Sequence, residues 1–378
     1  MLPLLTLAYR LLVTDRAKFA ALIVGLTFSV FLMVQMTSMF AGILQRASAT
    51  VLNTGAPLWV MDPAVTTVAN SIPMPDYVLN AVRSLDGVQY AVPLYSGAAL
   101  ARLHDGVYQS VSVIGLDDTT LFGRPPLIAG QIEDLYADDG FIVVRDPEYA
   151  KLERPTLGTT FEINDHRAVI VGIAKLPISG LFGIPTLYTT YSRAIEDLPN
   201  PRFTLSYVLV QPRSAAEIPA IVAAVTALGY RALTADGFIN HITNFYVYET
   251  SLGTNILMMT VISFLVGLSI SGQTFYTFII ENLERFGALK AIGAKSRELI
   301  TIILFQSLLT SLTGYGLGVG LCALLVAVAK VRLPDYSSTI TYLNLIIALG
   351  MVLVIAAVSG YVGVRKVTRV EPFDIFRG

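Results

Sequence analysis

ENLERFGALKAIGAKSRE, residues 281–298, is the stretch on which the fold turns. It is short, charged and punctuated by glycine, and it separates two long runs without Asp, Glu, Lys or Arg: Thr250 to Ile280 and Leu299 to Ala329. An uncharged, mostly apolar run of about 18 residues or more reads as a membrane helix. The stretch is therefore a loop between two spans. Its four basic residues, Arg285, Lys290, Lys295 and Arg297, favour the cytoplasmic side. Phe286, Ala288, Leu289 and Ile292 form an apolar stripe at helical spacing, which predicts a helix inside the loop. Gly293 is placed to end that helix, and Ser296 to cap the next one with Glu298 in its first turn. Either the segment only joins two spans, or it is a protruding elbow that a cytoplasmic partner grips.

Composition agrees with a membrane protein. The chain has 378 residues, 54% hydrophobic and 14% charged, against about 25% charged in an ordinary soluble domain. A net charge of −1 carries no nucleic-acid signal. Cys322 is the only cysteine, so neither an intrachain disulfide nor a thiolate metal site is expected. His104, His166 and His241 are scattered, and none stands at ligand spacing from another.

Outward from the elbow, the chain divides as follows. Residues 1–18 hold Leu4, Leu5, Leu7, Ala8, Leu11 and Leu12 among Arg10, Asp15, Arg16 and Lys18, which suits a cytoplasmic amphipathic helix lying along the membrane or a charged lead-in. Residues 19–45 form a first uncharged run, too long for a signal-peptide core. Residues 46–249 hold 13 of the 26 basic and 20 of the 27 acidic residues and alternate strand-like and helix-like segments. They predict a folded α/β domain with two lobes. One lobe is 57–115 with 203–240; the other is a mostly β insert, 116–202, bounded by Pro-rich turns at 124–126 and 198–201. Spans at 250–280 and 299–329 flank the elbow. A link at 330–335 precedes the last span, 336–364, and a basic tail, 365–378, follows. The lead carries three basic residues, the elbow four, the tail four and the short link two. That asymmetry predicts both termini and the elbow in the cytoplasm, with the large domain and the link outside. The fold class is thus a membrane α-helical protein of four transmembrane helices with a large extracytoplasmic α/β domain.

The sequence offers no catalytic constellation and no metal site. The pairs Asp117-Asp118 and Asp138-Asp139 read as solvated loops. Gly287 to Ser296 looks like a phosphate loop, but it has one residue too many between the glycines, and Ala294 separates Gly293 from Lys295. The backbone cradle needs the exact spacing and a preceding strand, so nucleotide binding is rejected here. Gly314, Gly316, Gly318 and Gly320 make two small-x-x-x-small pairs, and Gly360 and Gly363 lie near the end of the last span. All six are expected to pack helices within the chain, with dimerisation the other reading. The spans carry no charge, which argues against an ion-coupled carrier.

The order of lead helix, span, large external domain, three spans and basic tail, together with ERFGALKAIGAKSREL at 284–299 and RVEPFDIFRG at 369–378, resembles the FtsX-like/MacB-type permeases of ABC transporters. Within that family it is most similar to the DevC subgroup, whose members have no fused ATPase. The resemblance implies Porter-like lobes at 57–115 and 203–240 and a Sabre-like insert at 116–202. It implies a membrane permease subunit of an ATP-driven exporter in the bacterial inner membrane, not itself an enzyme and without a cofactor of its own. ATP would be bound by a separate ABC ATPase. A second permease copy, an HlyD-like membrane-fusion adaptor, membrane lipid and an outer-membrane channel would be its other partners. ATP-driven movement would be passed on mechanically to the external domain. The ATPase-facing positions would be Glu281, Glu284, Arg285, Lys290 and Lys295, with Gly287 and Gly293 shaping the elbow. The alternatives are an FtsX-like regulator of an extracytoplasmic hydrolase, or a permease of the lipoprotein-release type. The cargo is not written in the sequence.

Overall fold

The computed structural model describes residues 2–14, 16–180, 183–196, 205–333 and 336–368. In chain order the helices and strands are α1 (Leu2–Thr14), α2 (Arg16–Ala47), α3 (Ala49–Thr54), β1 (Leu58–Met61), α4 (Tyr77–Arg83), β2 (Val88–Arg102), β3 (Tyr108–Leu116), β4 (Leu127–Gly130), β5 (Gly140–Val144), β6 (Thr160–Ile163), β7 (His166–Ala174), β8 (Thr186–Thr190), α5 (Tyr191–Glu196), β9 (Tyr207–Pro212), α6 (Ile218–Ala227), β10 (Arg231–Thr234), α7 (Ala235–Asn244), α8 (Ser251–Glu281), α9 (Leu283–Ala291), α10 (Ser296–Arg332) and α11 (Tyr342–Thr368). The chain forms two compact units. One holds residues 1–42, 252–332 and 337–378; the other holds 43–251 and 333–336. The tail motif 369–378 and the predicted turn at 198–201 fall outside the described residues.

In the first unit α2, α8, α10 and α11 are long and apolar enough to cross a membrane. Their packing relies on small residues. A Cβ on Gly318 would lie 2.7 Å from Val30 Cβ and 2.8 Å from the Thr27 carbonyl oxygen, and one on Gly314 2.6 Å from Leu26 Cβ. The backbones of α2 and α10 therefore touch where no side chain fits between them. Hydroxyls close the other seams. Ser29 Oγ donates to Ser263 O at 2.7 Å, Ser307 Oγ donates to Ala356 O at 2.6 Å, and the Ser271 and Ser359 hydroxyls are 3.1 Å apart.

The lead segment is helical as expected, and α1 packs on the bundle by one side: Ala8 and Leu12 are fully buried, and Gln306 Nε2 donates to Ala8 O at 2.8 Å, which ties α1 to α10. Small Ala8 lets α1 approach α10 closely enough for that bond. One expectation changes: the last uncharged run is not helical from its start, since α11 begins only at Tyr342. Residues 336–341 include Ser337, Ser338 and the β-branched Thr339, Ile340 and Thr341, all weak helix formers. Thr339 N–H instead donates to Ser38 O at 2.9 Å, and Thr341 Oγ1 accepts from Asn344 N–H at 3.3 Å to cap α11. At the other end of the link, α10 runs on through Lys330 to Arg332.

The second unit is an α/β domain built on one sheet of ten strands in the order β10-β1-β9-β2-β3-β8-β5-β7-β4, with β6 pairing β2 and β7. The sequence suggests two lobes, but β2 joins them. Its first half pairs with β9 (Val88–Leu94 against Pro212–Tyr207) and its second with β3 (Leu94–Arg102 against Leu116–Tyr108). A strand of 15 residues is long enough to serve both. Trp59, Tyr207 and Phe238 meet beneath β1 and β9 with ring centroids 5.5–6.1 Å apart. A separate cluster, including Phe141, Val143, Phe161, Ile163, Ile170 and Leu187, fills the insert. Strand β8 and helix α5 have no counterpart in the sequence reading. All five β8 residues, TLYTT, are buried, so their mixed polarity hides the alternation that marks a strand facing water on one side.

The elbow, the helix seams and a buried charge cluster

The elbow helix α9 is anchored by its apolar side. Phe286, 2% exposed, and the half-buried Leu289 join a core with Ala8, Leu12 and Leu22, the end of α8 (Phe275, Phe278, Ile279), the start of α10 (Leu299, Ile302, Ile303) and Val367 of α11. The predicted stripe thus splits. Ile292 is 82% exposed, and Ala288 is exposed with it. The helix ends before Ile292, so the Phe286 periodicity does not extend to it. Gly293 has φ +101°, a backbone region that glycine enters freely, and a Cβ there would meet no other residue within 4 Å beyond its chain neighbours. Ser296 is the first helical residue of α10 rather than its cap. The capping bond runs from Lys295 N–H to Glu298 Oε2 at 2.9 Å, the returning half of a capping box. Gly287 is buried in the middle of α9, so the first half of the phosphate-loop look-alike is helix, and no strand precedes it.

The charged elbow candidates divide in the same way. Glu284 and Lys295 are exposed, and Lys290 is half-buried in the last turn of α9. Glu281 is ion-paired with Lys18 near the start of α2, and Arg285 Nη1 donates to Asn282 Oδ1 at 2.9 Å. Asn282 is buried and its Nδ2 donates to Phe278 O at 2.8 Å, which fixes the amide.

The glycines divide too. Gly314 and Gly318 meet α2, as above. Gly360 faces Leu304 and Ser307 of α10, while Gly363 faces Ile279 and Phe275 of α8 and Ile303 of α10. Gly316 and Gly320 have nothing within 4 Å, so the expectation that all six pack helices within the chain is corrected for these two. Residues two apart in a helix are turned about 200° from each other, so one pair faces inward and the other outward.

The α/β domain holds a charge cluster that sequence reasoning missed. Glu148, 1% exposed, lies 3.6 Å from the Arg46 guanidinium at the end of α2. Asp146 caps the 3-10 turn Pro147–Leu152 by accepting from Glu148 N–H at 3.1 Å. Burial pushes the Asp146 carboxyl up to about 6, against hydrogen bonds from Glu148 and Tyr149 that favour its charged form. Burial also pushes up the phenol of Tyr188, which faces Asp146. Asp-Pro-Glu reads as a helix start in any sequence, and nothing in it signals a distant arginine. Asp117 is buried rather than solvated as the sequence suggests, and Asp118 ties its loop to the start of α5. Asp117 Oδ2 accepts from Thr120 N–H and Oγ–H at 2.9 and 2.8 Å, and Asp118 accepts from Ser192 at 3.1 and 2.6 Å. Among the described residues no group of His, Cys, Asp and Glu could hold a metal.

Comparison with known proteins decides the family. The model of the MacB-like periplasmic core domain matches residues 19–228, more than half of the chain, and that of the FtsX-like permease C-terminal domain matches residues 215–372. The chain belongs to the FtsX-like/MacB-type permeases. An uncharacterized ABC transporter permease of Mycobacterium tuberculosis is 26% identical to this permease over 366 residues, covering 94% of this chain and 93% of the relative. The macrolide export ATP-binding/permease protein MacB of Campylobacter fetus is 24% identical over 314 residues, 78% of this chain and 48% of that one. Among solved structures, the extracellular domain of the noncanonic ABC-type transporter YknZ from Gram-positive bacteria matches at 18% identity and a TM-score of 0.37, over 47% of this permease and 98% of that chain. The permease is a multi-pass membrane protein with four apolar helices and a MacB-like α/β domain.

Proposed function

We propose that this permease is the membrane subunit of an ATP-driven exporter, and that its elbow is the seat of a separate ABC ATPase. The observation that carries the reading is the two-sidedness of α9. Its inward side is locked into a core shared by α1, α8, α10 and α11, while Ile292 stands bare at the tip beside Gly293. A large exposed aliphatic close in sequence to Lys290 and Lys295 suits a protein groove better than water. A push on a tip anchored in this way loads every helix of the bundle together. In the topology that goes with this reading, the elbow and both termini are cytoplasmic, the membrane is the bacterial inner membrane, and the α/β domain works outside with a membrane-fusion adaptor. Two permease copies pair, and ATP hydrolysis belongs to the partner. The DevC subgroup is the nearest fit. The cargo is left open: macrolide and hemin belong to the names of relatives.

The test is co-purification of the cognate ATPase with Ile292→Asp and, separately, Gly293→Val, alongside export in cells. Both variants should insert and express normally. Ile292→Asp should weaken capture by at least about tenfold, the scale of a lost interface anchor. Unchanged capture and export in both would reduce the elbow to a connector.

A further inference from the structure

Beside the elbow, Thr14 and Arg16 at the turn between α1 and α2 face Glu281, Asn282 and Arg285 at the turn between α8 and α9, enclosing an open cavity of roughly 420 Å³. Its volume is in the range of small-ligand sites. Its charges are unevenly committed. Among the described residues one carboxylate lines it, Glu281, which is ion-paired with Lys18. The Arg285 guanidinium is held in one orientation by the buried Asn282 amide. Arg16 stands exposed with no ion pair or hydrogen bond to another described residue. Asp15, its neighbour in sequence, is outside the described residues. Two guanidiniums thus line one cavity, Arg285 held by Asn282 and Arg16 exposed.

We infer that this corner binds a phosphate-bearing anion, and that its source is the headgroup of an anionic phospholipid in the leaflet on the elbow side. The chemistry is that of planar guanidinium forks, which match phosphate oxygens with paired, charge-assisted hydrogen bonds. The location favours lipid because α2 begins and α8 ends beside the cavity, and basic pockets between the ends of membrane-spanning helices suit anionic headgroups. Arg16 and Arg285 then serve the lipid at the corner while Ile292 serves the partner at the tip. The inference does not depend on the ATPase reading.

The test uses the purified full chain in neutral detergent. Dioleoylphosphatidylglycerol, dioleoylphosphatidylcholine and inorganic phosphate are titrated separately, with native mass spectrometry and the thermal unfolding midpoint as readouts. Saturable retention of phosphatidylglycerol with a raised midpoint is expected, without the same effect from phosphatidylcholine. Arg16→Gln with Arg285→Gln should weaken retention by at least about tenfold, a drop suited to losing charge-assisted contacts. Arg297→Gln, a basic residue on the same loop but outside the cavity, should bind as the parent does. Should the double variant fail to fold, Arg16→Gln alone carries the test, because no partner of that side chain is described. A saturable effect of inorganic phosphate equal to that of the lipid, lost in the same variants, supports the phosphate site and assigns its source to a soluble anion. Equal retention of phosphatidylglycerol by parent and double variant, or equal retention of the two lipids, overturns the inference.

Discussion

The two units bury polar groups in opposite ways. Along the length of the spans the ties are neutral: serine hydroxyls reach backbone carbonyls, and Gln306 bonds to the Ala8 carbonyl, while the Lys18–Glu281 ion pair lies at the helix ends. The α/β domain buries formal charge, with Glu148 beside Arg46 and Asp146 hydrogen-bonded to Glu148. The contrast follows from the solvent each unit is built for. A charge in the hydrocarbon core is costly whatever its partner, whereas a hydroxyl adds one bond to a carbonyl that already has a helical partner. In a domain surrounded by water, a charge pair can be buried where its geometry is right, but removing one member strands the other. The spans should therefore be sensitive to shape and indifferent to pH, and the domain sensitive to charge.

The largest effect should come from breaking the buried pair. Arg46→Met keeps most of the side-chain volume but leaves the Glu148 carboxylate, 1% exposed, without its cation. A loss of about 3–5 kcal/mol is expected. It would be read from urea unfolding of residues 43–251 expressed alone, which should itself be cooperative for a domain of this size with its own core. A loss within about 0.5 kcal/mol, the range of an ordinary surface substitution, would erase the contrast between the units.

Next in size is a pH dependence confined to the domain. The Asp146 carboxyl, raised from 3.8 to about 6, binds its proton more tightly in the folded state than in the unfolded one. Its contribution is therefore fully present below about pH 4 and is lost as pH rises through about 6. Asp146→Asn keeps an acceptor for Glu148 N–H and removes the titration. The variant should match the parent near pH 4 and exceed it by roughly 3 kcal/mol at pH 7, from two pKa units at about 1.4 kcal/mol each. A difference that stays constant with pH would remove Asp146 as its source.

The smallest effect sharpens the other side of the comparison. Gly318→Ala places a methyl against Val30 and the Thr27 carbonyl, and overpacking of this kind costs about 1–3 kcal/mol. Gly316→Ala points into open space, and the gain in helix propensity should leave it neutral or slightly stabilised. Thermal midpoints of the full chain in detergent separate the two. Equal destabilisation would mean that the outward pair is covered, which a second copy of the chain would do.

Much of the spans was legible because charge is nearly forbidden in lipid. Four charge-free runs in the sequence correspond to α2, α8, α10 and α11. Element types in the α/β domain were legible where one face meets water, as in the β2–β3 hairpin turning at Gly106 with φ +84°. They were not legible in β8, where both faces are buried. At the elbow, the helix and its glycine stop follow from local spacing. The direction of the stripe does not, because Phe286 turns inward only where the ends of α8, α10 and α11 converge to receive it.

By itself, then, the sequence determined which segments can live in hydrocarbon, where the charged loops must lie and where the backbone turns. These are local matters of transfer energy and glycine conformation. Tertiary structure alone decided which glycine pair touches α2, that α1 is clamped to α10, that Arg46 meets Glu148 across about 100 residues, and that Arg16 and Arg285 share one cavity. The physical reason is that a span is apolar on every side, so its periodicity does not say which side meets a neighbour and which meets lipid. Only the packed arrangement of the other helices breaks that symmetry.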